Sequence, residues 1–382
     1  MLGLCICYYN HNFGSMLQAY ATVREIERLG ESYDILAYKK EKTPAFLAKN
    51  AFRVFNKCWV SEKKLLVQKR ISRKLHPAYD ANVRIRENEF RAFQKNRFDA
   101  KVRTCNGYPA LQKAAEDYSA VIVGSDQMWS PSGLATNFYN LNFVPEHIRK
   151  ISYAASFGVS EIPGYQKKRT AAFLNRIEHL SVRENAGAGI IDELTGRKAE
   201  VVVDPTMLLG RDEWDAFSGQ ERVIEEPYIF AYFLGANQVH RRYVSELSRK
   251  KNLKVVTLRH LDEYVPEDES FGDFAPYDIG PEKFVNLIKN AEYVCTDSFH
   301  GSVFSSIFHK AFLTFSRYSD TSKTSKNSRI SSLLENLGLQ ERHFAAGDIE
   351  KSIDAPIDYE KVEMRRKRMI EHSVDFLKQA LK

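Results

Sequence analysis

Leu2-Gly-Leu-Cys-Ile-Cys-Tyr8 is followed by Asn10-His-Asn-Phe-Gly-Ser15, and then Met16, Leu17, Tyr20, Val23, Ile26 and Leu29 recur at helical spacing up to Gly30. The first run is short and apolar throughout, as a strand buried on both faces is. The second is a polar loop rich in turn residues. The third is one face of a helix, with Gly30 as its stop. Residues 32–38 make the next strand. Strand, loop, helix and strand in this order open a doubly wound α/β domain with a parallel sheet.

The same alternation continues outward. Strands are expected at residues 120–123, 150–155, 179–182 and 200–203, with helices at 165–177 and 185–194, and Asp204-Pro205 closes this half. A second α/β run starts at Pro227, with strands at 228–234, 254–258, 293–296 and 312–315 and helices at 237–251, 284–291 and 299–308. Residues 317–328 are rich in Ser, Thr and Lys without an apolar period, which predicts a mobile loop. One more helix carries Ile330, Leu333, Leu334 and Leu337, and Ile370, Val374, Leu377 and Leu381 mark an amphipathic terminal helix. Residues 40–115 read as basic helical connections laid over the first domain, broken at Pro44 and Pro77. The expected domains are 1–206 with that insertion near 40–115, then 207–358, then a C-terminal helix at 359–382.

A length of 382 residues is too great for one ordinary core and fits two domains. No apolar run reaches 18 residues, and the apolar start lacks a basic leader, so neither a transmembrane helix nor a signal peptide is expected and a cytoplasmic location is. Cys5, Cys7, Cys58, Cys105 and Cys295 are scattered and odd in number, which fits reduced core thiols and no metal site. The net charge of +7 is uneven: residues 49–103 hold 16 basic and 5 acidic residues. Such a segment is either a solvated helical face or a surface for an anionic glycolipid, a polyanionic substrate or the inner face of the plasma membrane. No recognition motif accompanies the charge, so nucleic acid is not expected as a partner.

Ligands of open α/β sheets bind beyond the carboxyl ends of strands. Five residue groups fall there. Asn12 and Gly14 precede a helix whose free N–H groups suit an anion. Ser125, Asp126, Gln127 and Trp129 follow a strand and offer a carboxylate, an amide and an indole to a sugar, unless Asp126 merely caps a turn. Arg183 ends a strand, where a guanidinium would grip a carboxylate or phosphate, unless it only pairs with Glu184. Ser298, His300 and Gly301 open an apolar helix, a position suited to an imidazole acid or base and to close approach of a ligand, unless His300 only caps the helix. Lys323, Lys326 and Arg329 lie on or beside the expected loop, where they either close over a phosphate or form a solvated charge run. His309 reads as a cap at the helix end, and His11 is open.

Taken in order, Asn12-Phe-Gly-Ser-Met-Leu-Gln-Ala-Tyr20, Gly124-Ser-Asp-Gln-Met-Trp129, Tyr153-Ala-Ala-Ser-Phe-Gly158, Ser181-Val-Arg-Glu184, Val203-Asp-Pro-Thr206, Thr296-Asp-Ser-Phe-His-Gly301 and Arg329-Ile-Ser-Ser-Leu-Leu-Glu-Asn-Leu-Gly-Leu339 resemble the polysaccharide pyruvyl transferase family. The resemblance spans nearly the whole chain except the basic segment. It implies a fold similar to the GT-B glycosyltransferases, two Rossmann-like domains facing a cleft. It also implies phosphoenolpyruvate as donor, a sugar or lipid-linked oligosaccharide as acceptor, and a place in surface polysaccharide synthesis in bacteria. The family's arginine in its Ser-x-Arg motif falls on Arg183 and its histidine before glycine on His300. Some members carry an arginine two places before that histidine, where this chain has Ser298. One anion contact is therefore missing or supplied by Arg329, Arg317 or Lys323.

On this reading His300 moves a proton, Arg183 and a second basic residue hold the donor, Asp126 and Gln127 orient the acceptor hydroxyls, and neither a cofactor nor a metal is required. The rivals are a nucleotide-sugar glycosyltransferase, for which no convincing E-x7-E pair stands in the second half, and a non-catalytic binding protein of a polysaccharide pathway.

Overall fold

The computed structural model describes residues 1–41, 57–133, 137–259, 261, 263–317 and 327–382, without the side chains of 57–59, 61, 62, 327 and 328. The first half builds a parallel sheet from β1 (Leu2–Cys5), β2 (Tyr33–Lys39), β3 (Val102–Asn106), β4 (Ala120–Val123) and β5 (Arg149–Ser152), in the order β3-β2-β1-β4-β5. The pair β6 (Ser181–Val182) and β7 (Glu200–Val201) extends it through bridges from Ile151 to His179 and from Ala155 to Val182. The second sheet runs β12-β11-β10-β8-β9, with β8 (Tyr228–Tyr232), β9 (Lys254–Thr257), β10 (Tyr293–Thr296), β11 (Ala311–Phe315) and β12 (His343–Phe344), again parallel. The central strands β1, β4 and β8 are buried at every residue, which is why they read as continuous apolar runs.

The helices in chain order are α1 (Phe13–Arg28), α2 (Lys57–Leu75), α3 (Pro77–Arg97), α4 (Tyr108–Ala115), α5 (Gly164–Leu174), α6 (Asn185–Thr195), α7 (Arg211–Ser218), α8 (Gln238–Lys251), α9 (Pro281–Asn290), α10 (Phe299–Ile307), α11 (Asn327–Leu337), α12 (Ile349–Asp354) and α13 (Tyr359–Leu381). Asn12 starts α1 by accepting from the Ser15 N–H at 3.1 Å. This helix lies at the junction of the halves, where the Phe13 ring stacks on Phe284 of α9 at 4.4 Å. One continuous apolar core crosses the junction through Phe13, Trp214, Phe284 and Phe304. Burying such a side chain is worth roughly 1.5–3 kcal/mol. α13 crosses back to the first half, where the Ser373 hydroxyl accepts from the Val203 N–H at 3.0 Å and Arg149 donates to the Ala380 carbonyl at 3.1 Å.

Two expectations are corrected. Residues 40–115 are not purely helical, because they include β3. It is an edge strand with only Cys105 buried, so no apolar run announces it. Nor does this segment lie only over the first half. Arg86 of α3 donates to the carbonyls of Arg259 at 2.8 Å and Pro276 at 2.7 Å, and the Tyr79 hydroxyl to that of Glu263 at 3.2 Å. The hairpin of α2 and α3 thus straps the second half. The loop expected at 317–328 falls largely outside the described residues, and Lys323 and Lys326 with it.

Candidate active site

The carboxyl ends of both sheets face the junction, and a charged cluster fills it. Its hub is Asp204, fully buried after β7. Asp204 Oδ2 accepts from Arg183 Nη1 at 2.6 Å and from the Ser125 hydroxyl at 2.9 Å. Its Oδ1 accepts from the Thr206 hydroxyl at 2.7 Å and the Thr206 N–H at 3.0 Å, and lies 3.6 Å from His300 Nε2. Burial alone would raise the Asp204 pKa, but His300, Arg183 and Thr206 together hold it well below the usual carboxylate range.

Arg183 leaves β6 into this cluster, its guanidinium 4.5 Å from the centre of the Phe299 ring. Burial would discharge it, but Asp204, Glu184 and Asp126 raise its pKa. Only Nη1 is hydrogen-bonded. Nε and Nη2, the two donors along one edge of the guanidinium, are buried with no hydrogen-bond partner. Glu184 Oε2 approaches Nε no closer than 3.7 Å, while Glu184 Oε1 accepts from the Ser156 hydroxyl at 2.7 Å. Buried polar atoms of this kind are almost always paired, and here Glu184 Oε2, also without a hydrogen-bond partner, is the charge beside Nε.

His300 sits in the first turn of α10, and Ser298 rather than His300 caps that helix by accepting from the Gly301 N–H at 3.3 Å. The imidazole lies against α1 so closely that a Cβ on Gly14 would fall 2.0 Å from its Nδ1. Gly14 is therefore the opening that admits His300. Gly301 is likewise a packing glycine, since a Cβ there would meet Thr296 Oγ1 at 2.5 Å. The expected approach of a ligand to its backbone is replaced by a threonine.

Asp126 adopts a left-handed backbone at φ 78°, held because its carbonyl accepts from the Met128 and Ser156 N–H groups. Its carboxylate accepts from the Ser15 hydroxyl at 2.6 Å. Burial would raise its pKa, but Arg183, Ser15, His300 and Arg329 outweigh burial and keep it ionised at neutral pH. Gln127 is half-buried beside Gly158. Arg329 of α11 lines, with Arg183, Asp204, Phe299 and Asn336, a cavity of about 240 Å³. That is below the roughly 300–1,000 Å³ of pockets for drug-sized ligands and suits a small acid. Arg317 lies elsewhere at the junction, its Cγ beside Gly235. No group of three His, Cys, Asp or Glu side chains among the described residues is arranged to hold a metal ion.

Two site expectations are corrected. Trp129 is fully buried, packs on Phe157 and Phe173 and donates its N–H to the Tyr139 carbonyl at 3.0 Å, so no sugar can stack on it. Ser125 is equally buried and spends its hydroxyl on Asp204. His309 stacks on Tyr359 and pairs with Glu363 at 3.2 Å, and His11 stacks on Phe90. The sequence reading passed over Asp204, Ser15 and Glu184 as site residues. For Asp204 a signal was present: an acidic residue before proline, at a strand end.

The molecule is thus a two-domain α/β protein of the GT-B type with a charged pocket at the domain junction. The sequence model of the polysaccharide pyruvyl transferase family matches residues 12–319, and the chain belongs to that family. In structure it is similar to UDP-GlcNAc 2-epimerase from Methanocaldococcus jannaschii, with a TM-score of 0.50 at 10% identity over 97% of this chain and 92% of that one. It is equally similar to MnaA of S. aureus, solved with UDP, with a TM-score of 0.50 at 12% identity over 98% and 90% of the two chains. Such low identity speaks for the fold alone. No curated protein sequence matches.

Proposed function

We propose that this chain moves the enolpyruvyl group of phosphoenolpyruvate onto two hydroxyls of a sugar, free or lipid-linked, to form a pyruvate ketal in surface polysaccharide synthesis. The observation that carries the proposal is that two arginines, Arg183 and Arg329, line one small cavity at the junction. A buried guanidinium offering Nε and Nη2 side by side matches a carboxylate bidentately. Arg329, on the same cavity, takes the phosphate and stands in for the arginine replaced by Ser298. A proton is added at C3 of the enol, the first hydroxyl attacks C2, phosphate leaves, and the second hydroxyl closes the ketal at C2. His300 carries the proton. The nitrogen that carries it is Nε2, which is buried without a hydrogen-bond partner and lies 3.6 Å from Asp204, itself anchored by Thr206 and Ser125. Ionised Asp126, with Gln127, accepts hydrogen bonds from the acceptor hydroxyls.

The test is phosphate release from phosphoenolpyruvate with a panel of sugar acceptors, alongside calorimetric titration of the donor. His300→Ala is expected to lower kcat by about 10²–10⁴-fold with donor affinity little changed. An unchanged kcat removes His300 from the reaction. Binding of UDP-sugars in place of phosphoenolpyruvate overturns the proposal in favour of nucleotide-sugar chemistry.

A further inference from the structure

The basic insertion supplies a surface that the reaction does not use. On α2, Arg73 turns inward, donating to Asp80 and to Glu87, the latter at 2.7 Å, both on α3. That contact fixes which side of α2 faces the protein. At 100° per residue the opposite side carries Val60, Val67, Ile71 and Leu75, an apolar stripe one to two turns apart along the helix, with Lys64 between the first two. The stripe is exposed, with Val67 at 52%, Ile71 at 53% and Leu75 at 70%, and Val67 and Ile71 border an open groove toward Asp80 and Arg84 of α3. Arg70 and Lys74 flank it along one edge. Residues 63–75 hold six basic residues and no acidic one.

We infer that the outer face of α2 docks on an anionic lipid bilayer. An amphipathic helix with aliphatic side chains bordered by Lys and Arg lies in the plane of a lipid interface, the apolar stripe among the acyl chains and the cations on the headgroups. A second copy of this chain is the less suitable occupant, because two such faces would set Lys64, Arg70 and Lys74 of one copy against the same cations of the other. The α2–α3 hairpin also reaches the site, since His11, next to the α1 cap Asn12, stacks on Phe90 of α3. Docking through α2 therefore holds the cleft close to the membrane surface. The helix is no membrane span: among the described residues no helix is long and apolar enough to cross a bilayer.

The experiment is co-sedimentation of the full chain with vesicles of phosphatidylcholine alone and of phosphatidylcholine mixed with phosphatidylglycerol, at low and high salt. Binding is expected only to the mixed vesicles and weakens with salt. Lys64→Gln, Arg70→Gln and Lys74→Gln combined are expected to weaken it on the order of a hundredfold. Ile71→Ser with Leu75→Ser is expected to weaken it about tenfold or more. These positions are exposed, so Tm serves as the control for folding. Equal binding to both vesicle types, no binding to either, or variants that bind like the parent overturn the inference. So does a concentration-dependent dimer that the serine variant dissolves without any vesicle binding.

Discussion

Arg183 and Arg86 are both buried arginines at the domain junction, 6% and 1% exposed, and their surroundings differ in kind. Arg183 faces Asp204, Glu184 and Asp126, and these carboxylates raise its pKa against burial. Arg86 bonds only two carbonyls, and burial pushes its pKa down to about 10. The comparison separates a cation held in place by countercharge from a cation used as a mechanical strap. Carbonyls suffice to tie an insertion to a second domain. Carboxylates are needed where charge must persist while a ligand comes and goes.

Arg183→Met tests the first half of the contrast and carries the largest expected effect. It strands Asp204 and Glu184 without their cation, which costs about 3–5 kcal/mol in urea unfolding, and it lowers phosphate release by about 10³-fold. Adding Asp204→Asn is expected to restore most of the stability and none of the turnover. Turnover recovered with stability would make Arg183 a structural residue like Arg86. Arg86→Met is the matching test. It leaves two carbonyls unpaired, costs about 1–3 kcal/mol, and is expected to leave turnover within about tenfold; a collapse of donor binding would erase the distinction.

The smallest effect lies in pH. Asp204 titrates far below its unfolded value of about 3.9. Its contribution is complete above about pH 5 and is lost as pH falls through the unfolded pKa toward the folded one. Stability of the parent is therefore expected to drop steeply below about pH 4, and that of Asp204→Asn to drop less. Parallel curves in urea titrations at pH 3–6 would show that Asp204 gains nothing from its neighbours.

Local sequence determined much of this protein. Short apolar runs such as residues 120–123 and 293–296 match β4 and β10 at every residue, because strands buried on both faces need no partner to be recognised. Edge strands β3 and β12 escaped, since they bury too little to leave an apolar signature. Residue chemistry at strand ends also pointed to Arg183, His300 and Asp126. Only the tertiary structure decided how these residues meet. The hydrogen bonds from Ser15 to Asp126, from Ser125 to Asp204 and from Arg86 to Arg259 join positions 111, 79 and 173 residues apart. The burial of Trp129 and the fit of His300 against Gly14 follow from packing between elements. Periodicity reports the face an element buries. Which atoms it buries that face against is set by the closure of two sheets around one junction.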